Sequence, residues 1–91
     1  MSSSKYQQNK NTSSHPSGER VVVYHEESKD SIVLNPTGSI IWNSLENAKT
    51  KSEVVGELKT AFPDVAAVDL ERDVEAYFTE LLKNKLILAT D

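Results

Sequence analysis

His15 and His25 are the only imidazoles in the 91-residue sequence, and it contains no cysteine. A zinc site needs three or four nitrogen, sulfur or carboxylate ligands at set spacing, and a nucleophile triad needs a hydroxyl or thiol held against a base. Neither histidine has such company. His15 lies in a polar N-terminal run, His25 stands beside Glu26 and Glu27, and no HExxH or GxSxG pattern occurs. Both read as surface residues without a chemical role. Lacking thiols, the chain cannot by itself build a disulfide, a thiolate zinc site or an iron–sulfur cluster, and no cofactor is expected.

Three other groups invite a chemical reading. Asn35-Pro36-Thr37-Gly38, inside "SIVLNPTGSIIW", places a proline and a glycine between apolar segments, as a phosphate-gripping loop would. Such a loop needs several glycines followed by a lysine and a hydroxyl, and here Gly38 stands alone. The better reading is a strand-to-helix joint, with Asn35 as N-cap, Pro36 at the first helical position and Gly38 allowing close packing. The carboxylates Glu71, Asp73, Glu75 and Glu80 fall mainly opposite Leu70, Val74 and Phe78 on a helix, as a solvated face does. Trp42, among Ile40, Ile41 and Leu45, reads as core rather than as a stacking platform for a ligand.

The elements that would carry these residues follow from periodicity. Val21 to Tyr24 is a run of β-branched and aromatic types, and "SIVLN" (Ser31 to Asn35) sets Ile32 and Leu34 on one face against Ser31 and Val33 on the other. The polar "EESKD" between them is the length of a hairpin loop, so the two strands pair antiparallel. A short helix is predicted from about Pro36 to Glu46. Thr50, with Glu53 three residues on, opens a second as a capping box, with Val54, Val55, Leu58 and Phe62 inward and Pro63 preventing continuation. A third runs from Asp69 as N-cap through the stripe Leu70, Val74, Tyr77, Phe78, Leu81 and Leu82, with Asn84 ending it in a left-handed conformation. Leu86, Ile87 and Leu88 return to the core. The fold class is α+β and winged-helix-like: an N-terminal antiparallel hairpin or small sheet, then three helices.

Residues 1 to 20 hold six serines and only Met1 and Tyr6 as apolar bulk, too little burial to offset the entropy of ordering. They are expected to form a disordered polar tail, with residues 21 to 91 as the folded domain. There is no secretory signal pattern, nor the roughly 20 apolar residues of a membrane span, so a soluble, cytoplasmic protein is expected. Lys5, Lys10 and Arg20 against Glu19 give the tail a balance of +2, leaving −6 for the remainder of a chain whose net charge is −4.

That acidity bears on the helix pair, whose winged-helix plan suggests a DNA-binding regulator. The third helix carries Arg72, Lys83 and Lys85 against Asp69, Glu71, Asp73, Glu75 and Glu80, a face that phosphates repel. Neither nucleic acid nor membrane is an expected partner. The strand Ser31 to Asn35, in a sheet of very few strands, has an open edge with apolar Val33 beside it. Open edges accept another strand, and this one suits equally an extended peptide lying along the third helix or a second copy of the chain as a homodimer.

"IVLNPTGSIIWNSLE", "TKSEVVGELKTAF" and "DLERDVEAYFTELLKNKLI", in this order, resemble the PqqD family, the small peptide-chaperone and leader-recognition domains of pathways that modify ribosomally made peptides. The resemblance spans about Val21 to Leu88. It rests on Leu34-Asn35 opening a helix with Thr37-Gly38 and Trp42, and on Asp73-Val74 leading an aromatic and leucine stripe. It implies a non-catalytic domain that binds the leader of a precursor peptide by strand addition and presents it to a maturation enzyme, often a radical SAM protein, which would hold the iron–sulfur chemistry. Carried over by position, the peptide-binding strand is Ser31, Ile32, Val33, Leu34 and Asn35, and the groove helix supplies Val74, Tyr77, Phe78 and Leu81. Asp73 matches a family aspartate with a structural role. Two departures stand out. The family's further N-terminal strand would fall in the polar tail, so the sheet is expected either to have two strands or to complete itself by dimerising. Asn84-Lys85 stands where glycine is common at the helix end.

Overall fold

The computed structural model describes residues 4–90. Two small antiparallel sheets flank three helices, in the order β1 (Tyr6–Gln8), β2 (Thr12–Ser17), β3 (Arg20–His25), β4 (Ser31–Leu34), α1 (Pro36–Ser44), α2 (Lys51–Ala61), α3 (Ala67–Lys83) and β5 (Ile87–Ala89). β2, β3 and β4 form one sheet in sequence order, and β1 pairs with β5 in the other. The α+β plan expected from periodicity holds.

The N-terminal segment departs from expectation. Residues 6–8 and 12–17 are strands, so the disordered tail is corrected for the described residues; residues 1–3 lie outside them. Apolar bulk was the wrong criterion, because this segment is held mostly by backbone pairing. Thr12 to Ser17 pair residue for residue with His25 to Arg20, and Tyr6, Gln7 and Gln8 pair with Ala89, Leu88 and Ile87. Side-chain amides add to this: Gln8 Nε2 donates to Trp42 O at 2.7 Å and Asn9 Nδ2 to Lys85 O at 2.8 Å. Tyr6 supplies the apolar anchor, edge-on to Phe78 with ring centroids 5.0 Å apart. The main sheet therefore has three strands within a single chain.

The core gathers one face of β3, β4 and the three helices, with the residues that follow α3. Val21 and Val23 of β3, Leu34 of β4, Ile41 and Trp42 of α1, Leu45 beyond it, Val54 and Leu58 of α2, Leu70, Val74, Phe78 and Leu81 of α3, and Leu86 and Ile87 are all buried. Capping places the helices. Asn35 Oδ1 accepts from Gly38 N–H at 2.8 Å, and the Thr50–Glu53 capping box is complete. α1 stops at Ser44, two residues short of the expected end. α3 begins at Ala67 with Ala66 as N-cap, so Asp69 lies inside the first turn rather than capping it; the strong helix preference of alanine carries the helix back past the aspartate. At its far end Lys85, not Asn84, takes the left-handed conformation, with φ 59°. Lys85 N–H bonds to Leu82 O and Leu86 N–H to Leu81 O, the two bonds of a Schellman motif. That turn sends Leu86 and Ile87 inward, while Leu88 stays exposed. Among the described residues no helix is long and apolar enough to cross a membrane.

Candidate functional site

The two edges of the three-stranded sheet differ in what they offer another chain. His25 N–H donates to Asp30 O at 2.9 Å, which sets the phase of the β3–β4 ladder. Bonded pairs recur at every second position of an antiparallel pair. In the observed register, Ile32 and Leu34 therefore exchange bonds with Val23 and Val21, and Ser31 and Val33 turn their N–H and C=O groups outward. No strand and no other described backbone group meets them there.

On the opposite edge Glu26 N–H donates to Asn11 O at 2.8 Å, so by the same alternation Thr12, Ser14 and Pro16 of β2 face outward. Thr12 N–H is taken by Asn9 O at 3.1 Å, and Pro16 has no N–H. Only Ser14 offers a donor. The β2 edge is blunted in the manner of strands that avoid pairing, whereas β4 keeps two donors and two acceptors in a row.

Beside the open edge runs one ridge of α3. Positions 73, 77, 80 and 84, spaced by four, three and four, follow a single helix face. Tyr77, half-buried, leans over the start of α1 against Gly38, with the Asn35 side chain near its hydroxyl. Burial raises the Tyr77 hydroxyl above the ordinary phenol range; the Asn35 contact and nearby Arg20 oppose that rise, and Asp73 adds to it. Further along, Glu80 and Asn84 face Ser31 and Ile32 across a cavity of ≈ 290 Å³ with His25 and Leu86 at its floor.

Of the residues expected to bind a peptide, the structure brings Ser31, Ile32, Val33, Leu34, Asn35 and Tyr77 to this strip. Val33 is 58% exposed on its outer face, and Leu34 is buried. Val74, Phe78 and Leu81 are at most 1% exposed. They pack into the core and hold the helix in place, and the surface beside β4 is formed by their neighbours one position around the helix. Glu80 and Asn84 were thus missed, though a step of three or four from Tyr77 would have found them. His25, read as a surface residue, is 4% exposed; it continues the inward alternation of Val21 and Val23, the signal that could have placed it. The solvated face holds as expected, with Glu71, Asp73, Glu75 and Glu80 all exposed. Trp42 is fully buried, its indole Nε1 without a partner among the described residues.

A second cavity of ≈ 250 Å³ lies between α2 and α3, bordered by Lys51, Val55, Glu71, Val74 and Glu75. The Lys51–Glu75 ion pair at 2.9 Å bridges its rim, and both walls are helices whose backbone groups are already paired, so it offers no ladder to an extended chain. Among the described residues no group of three histidine or carboxylate side chains could hold a metal ion.

Residues 20–87 match the profile of the family described as coenzyme PQQ synthesis protein D (PqqD). No curated protein matches. Two solved structures are similar in fold. One, TbiB1 in complex with the TbiA(beta) leader peptide, superposes with a TM-score of 0.83 at 24% identity, covering 93% of this chain and 98% of that one. The other, a lasso peptide synthetase B1 complexed with the leader peptide, has a TM-score of 0.76 at 24% identity, covering 91% and 96%. Coverage of that extent takes in β2, so the N-terminal strand belongs to the shared architecture.

Proposed function

The chain belongs to the PqqD family, and from that premise we propose that the outer edge of β4, together with the Tyr77–Asn84 ridge of α3, receives the leader segment of a ribosomally made precursor peptide as an added strand. The single observation that carries this reading is the asymmetry of the sheet: Ser31 and Val33 present free backbone groups, while β2 is blunted by Thr12 and Pro16. Strand addition draws affinity from those groups and specificity from the guest side chains that alternate toward the helix. Ser31, Val33, Asn35 and Tyr77 are the direct contacts in this reading; Ile32 and Leu34 shape the strand, and Val74, Phe78 and Leu81 act by positioning α3.

The domain is non-catalytic. Its role is to hold the leader while a separate maturation enzyme, of the radical SAM class in our reading, works on the rest of the precursor. The two solved relatives were captured with leader peptides, which supports the same use of the fold here.

The test uses synthetic peptides that span the short open reading frames beside this gene, titrated against the wild type and Val33→Pro. The Val33 N–H makes no bond to β3, so proline there removes a donor from the guest and leaves the sheet intact. Loss of binding with an unchanged circular dichroism spectrum is expected. Equal binding by Val33→Pro and the wild type would sink the reading.

A further inference from the structure

The cavity between β4 and α3 has a chemical bias that the ladder alone does not explain. Asp30, just before β4, and Glu80 on α3 both line it, together with Ser28 and Ser31. Neither carboxylate joins an ion pair among the described residues. Glu80 Oε1 has only a long contact, 3.5 Å, from Asn84 Nδ2. Two carboxylates facing one small cavity without a cation lower the energy of a guest cation there.

The floor supplies a second, independent indication. The His25 ring is almost wholly buried, and its Nδ1 accepts from Glu27 N–H at 3.1 Å and Ser28 N–H at 3.4 Å. An imidazole that accepts at Nδ1 carries its proton on Nε2. That Nε2–H has no partner among the described residues, yet it is not sealed away as Trp42 Nε1 is, and the ring lines this cavity. A donor on a buried ring that keeps some accessible surface beside a cavity is a place for an acceptor, such as a guest carbonyl. The ring also borders a neighbouring depression, but there Glu27 is balanced by Lys85. The acidic bias belongs to the β4 side.

We infer that this cavity is a subsite for a lysine or arginine side chain of the bound leader. The cation lies between Asp30 and Glu80, and His25 Nε2–H meets a carbonyl of the same guest. The inference rests on the strand-addition reading above, because the backbone bonds to Ser31 and Val33 bring the guest residue over the cavity.

The probe is a display library of short random peptides selected on the full chain, with the selected peptides then measured against the wild type, Asp30→Asn, Glu80→Gln, Val33→Pro and, as a remote control, Glu71→Gln. Peptides that need an intact Val33 N–H are expected to be enriched in lysine or arginine at one fixed position. They should lose about three- to tenfold in affinity on Glu80→Gln or Asp30→Asn and none on Glu71→Gln. Replacing their basic residue by norleucine should cost more than either single substitution on the wild type, and less on Glu80→Gln, where only Asp30 is left to meet the cation. Peptides that depend on Val33 but show no basic position, or that bind Glu80→Gln as well as the wild type, overturn the subsite while the groove reading stands. Selected peptides that bind Val33→Pro undiminished overturn the groove reading and the subsite with it.

Discussion

A Cβ placed on Gly38 would lie 2.6 Å from Cε1 of Tyr77. The first turn of α1 and the middle of α3 therefore approach so closely that only a hydrogen fits between them. The glycine has no unusual backbone angle, so its role is the space it leaves. Tyr77 fills that space beside Asn35, the residue that follows β4 and caps α1.

Gly38→Ala should therefore cost about 1–3 kcal/mol, the usual range for forcing a group into filled space. In a Tyr77→Ala background the same substitution should cost much less, because the clashing ring is gone. Urea denaturation of the four proteins of this cycle measures the coupling; additive effects would mean that the two residues do not share the contact.

Lys85 holds a left-handed conformation that glycine adopts without steric cost. Lys85→Gly should raise stability by about 0.5–1 kcal/mol, the relief of that strain less the extra freedom of glycine in the unfolded chain. Two residues earlier, inside the helix, Lys83→Gly should lower stability by about 1 kcal/mol. Thermal unfolding of both variants tests the reversal of sign.

Glu53 closes the capping box of α2. Its Oε1 accepts from Thr50 N–H at 2.9 Å, and its own N–H donates to Thr50 Oγ1 at 3.2 Å. The Thr50 backbone bond holds the Glu53 carboxyl below the ordinary range. A depressed folded-state value means that the stabilisation is present above the unfolded-state titration and is lost as pH falls through the folded-state value. Glu53→Gln keeps an acceptor but cannot titrate, so its stability should fall less steeply than that of the wild type between neutral pH and about pH 3. Denaturant midpoints across that range read the difference.

Tyr6 ties the N-terminal strand to the body. Its N–H donates to Lys49 O at 2.8 Å and its carbonyl accepts from Lys49 N–H at 3.0 Å. Its ring meets Phe78 edge-on, with Lys51 Nζ 5.7 Å from the ring centre. Tyr6→Ala should cost about 1–3 kcal/mol, whereas Lys10→Ala, on an exposed turn, should be neutral within about 0.5 kcal/mol. Calorimetry of the two variants decides whether the segment is part of the folded unit.

What could be read from the sequence was whatever local chemistry dictates. Asn35-Pro36 marks a helix start, Thr50 and Glu53 a capping box, and Val21, Val23, Ile32 and Leu34 the inward alternation of a hairpin, because each depends on neighbours a few residues away. Thr12 to Ser17 gave no such signal. Their strand exists because β3 is there to pair with them, a contact that polarity does not report. The same limit applied to the candidate site. The stripe on α3 pointed to Val74, Phe78 and Leu81, but a stripe that deep packs inward, and the surface beside β4 belongs to Tyr77, Glu80 and Asn84. The position of His25 could be inferred only by extending the alternation of β3 one step past Val23.

The most direct test of peptide capture at the β4 edge is amide hydrogen exchange at Ser31 and Val33, measured by NMR with and without a bound peptide. Without peptide both N–H groups face solvent and should exchange fast, while Ile32, bonded to Val23, is protected. On binding, at least one of the two outer amides should become protected by a factor that tracks peptide affinity, with Ser14 on the β2 edge unchanged. Protection that appears at Ser14 or along α2, with Ser31 and Val33 still exchanging freely, would contradict the account.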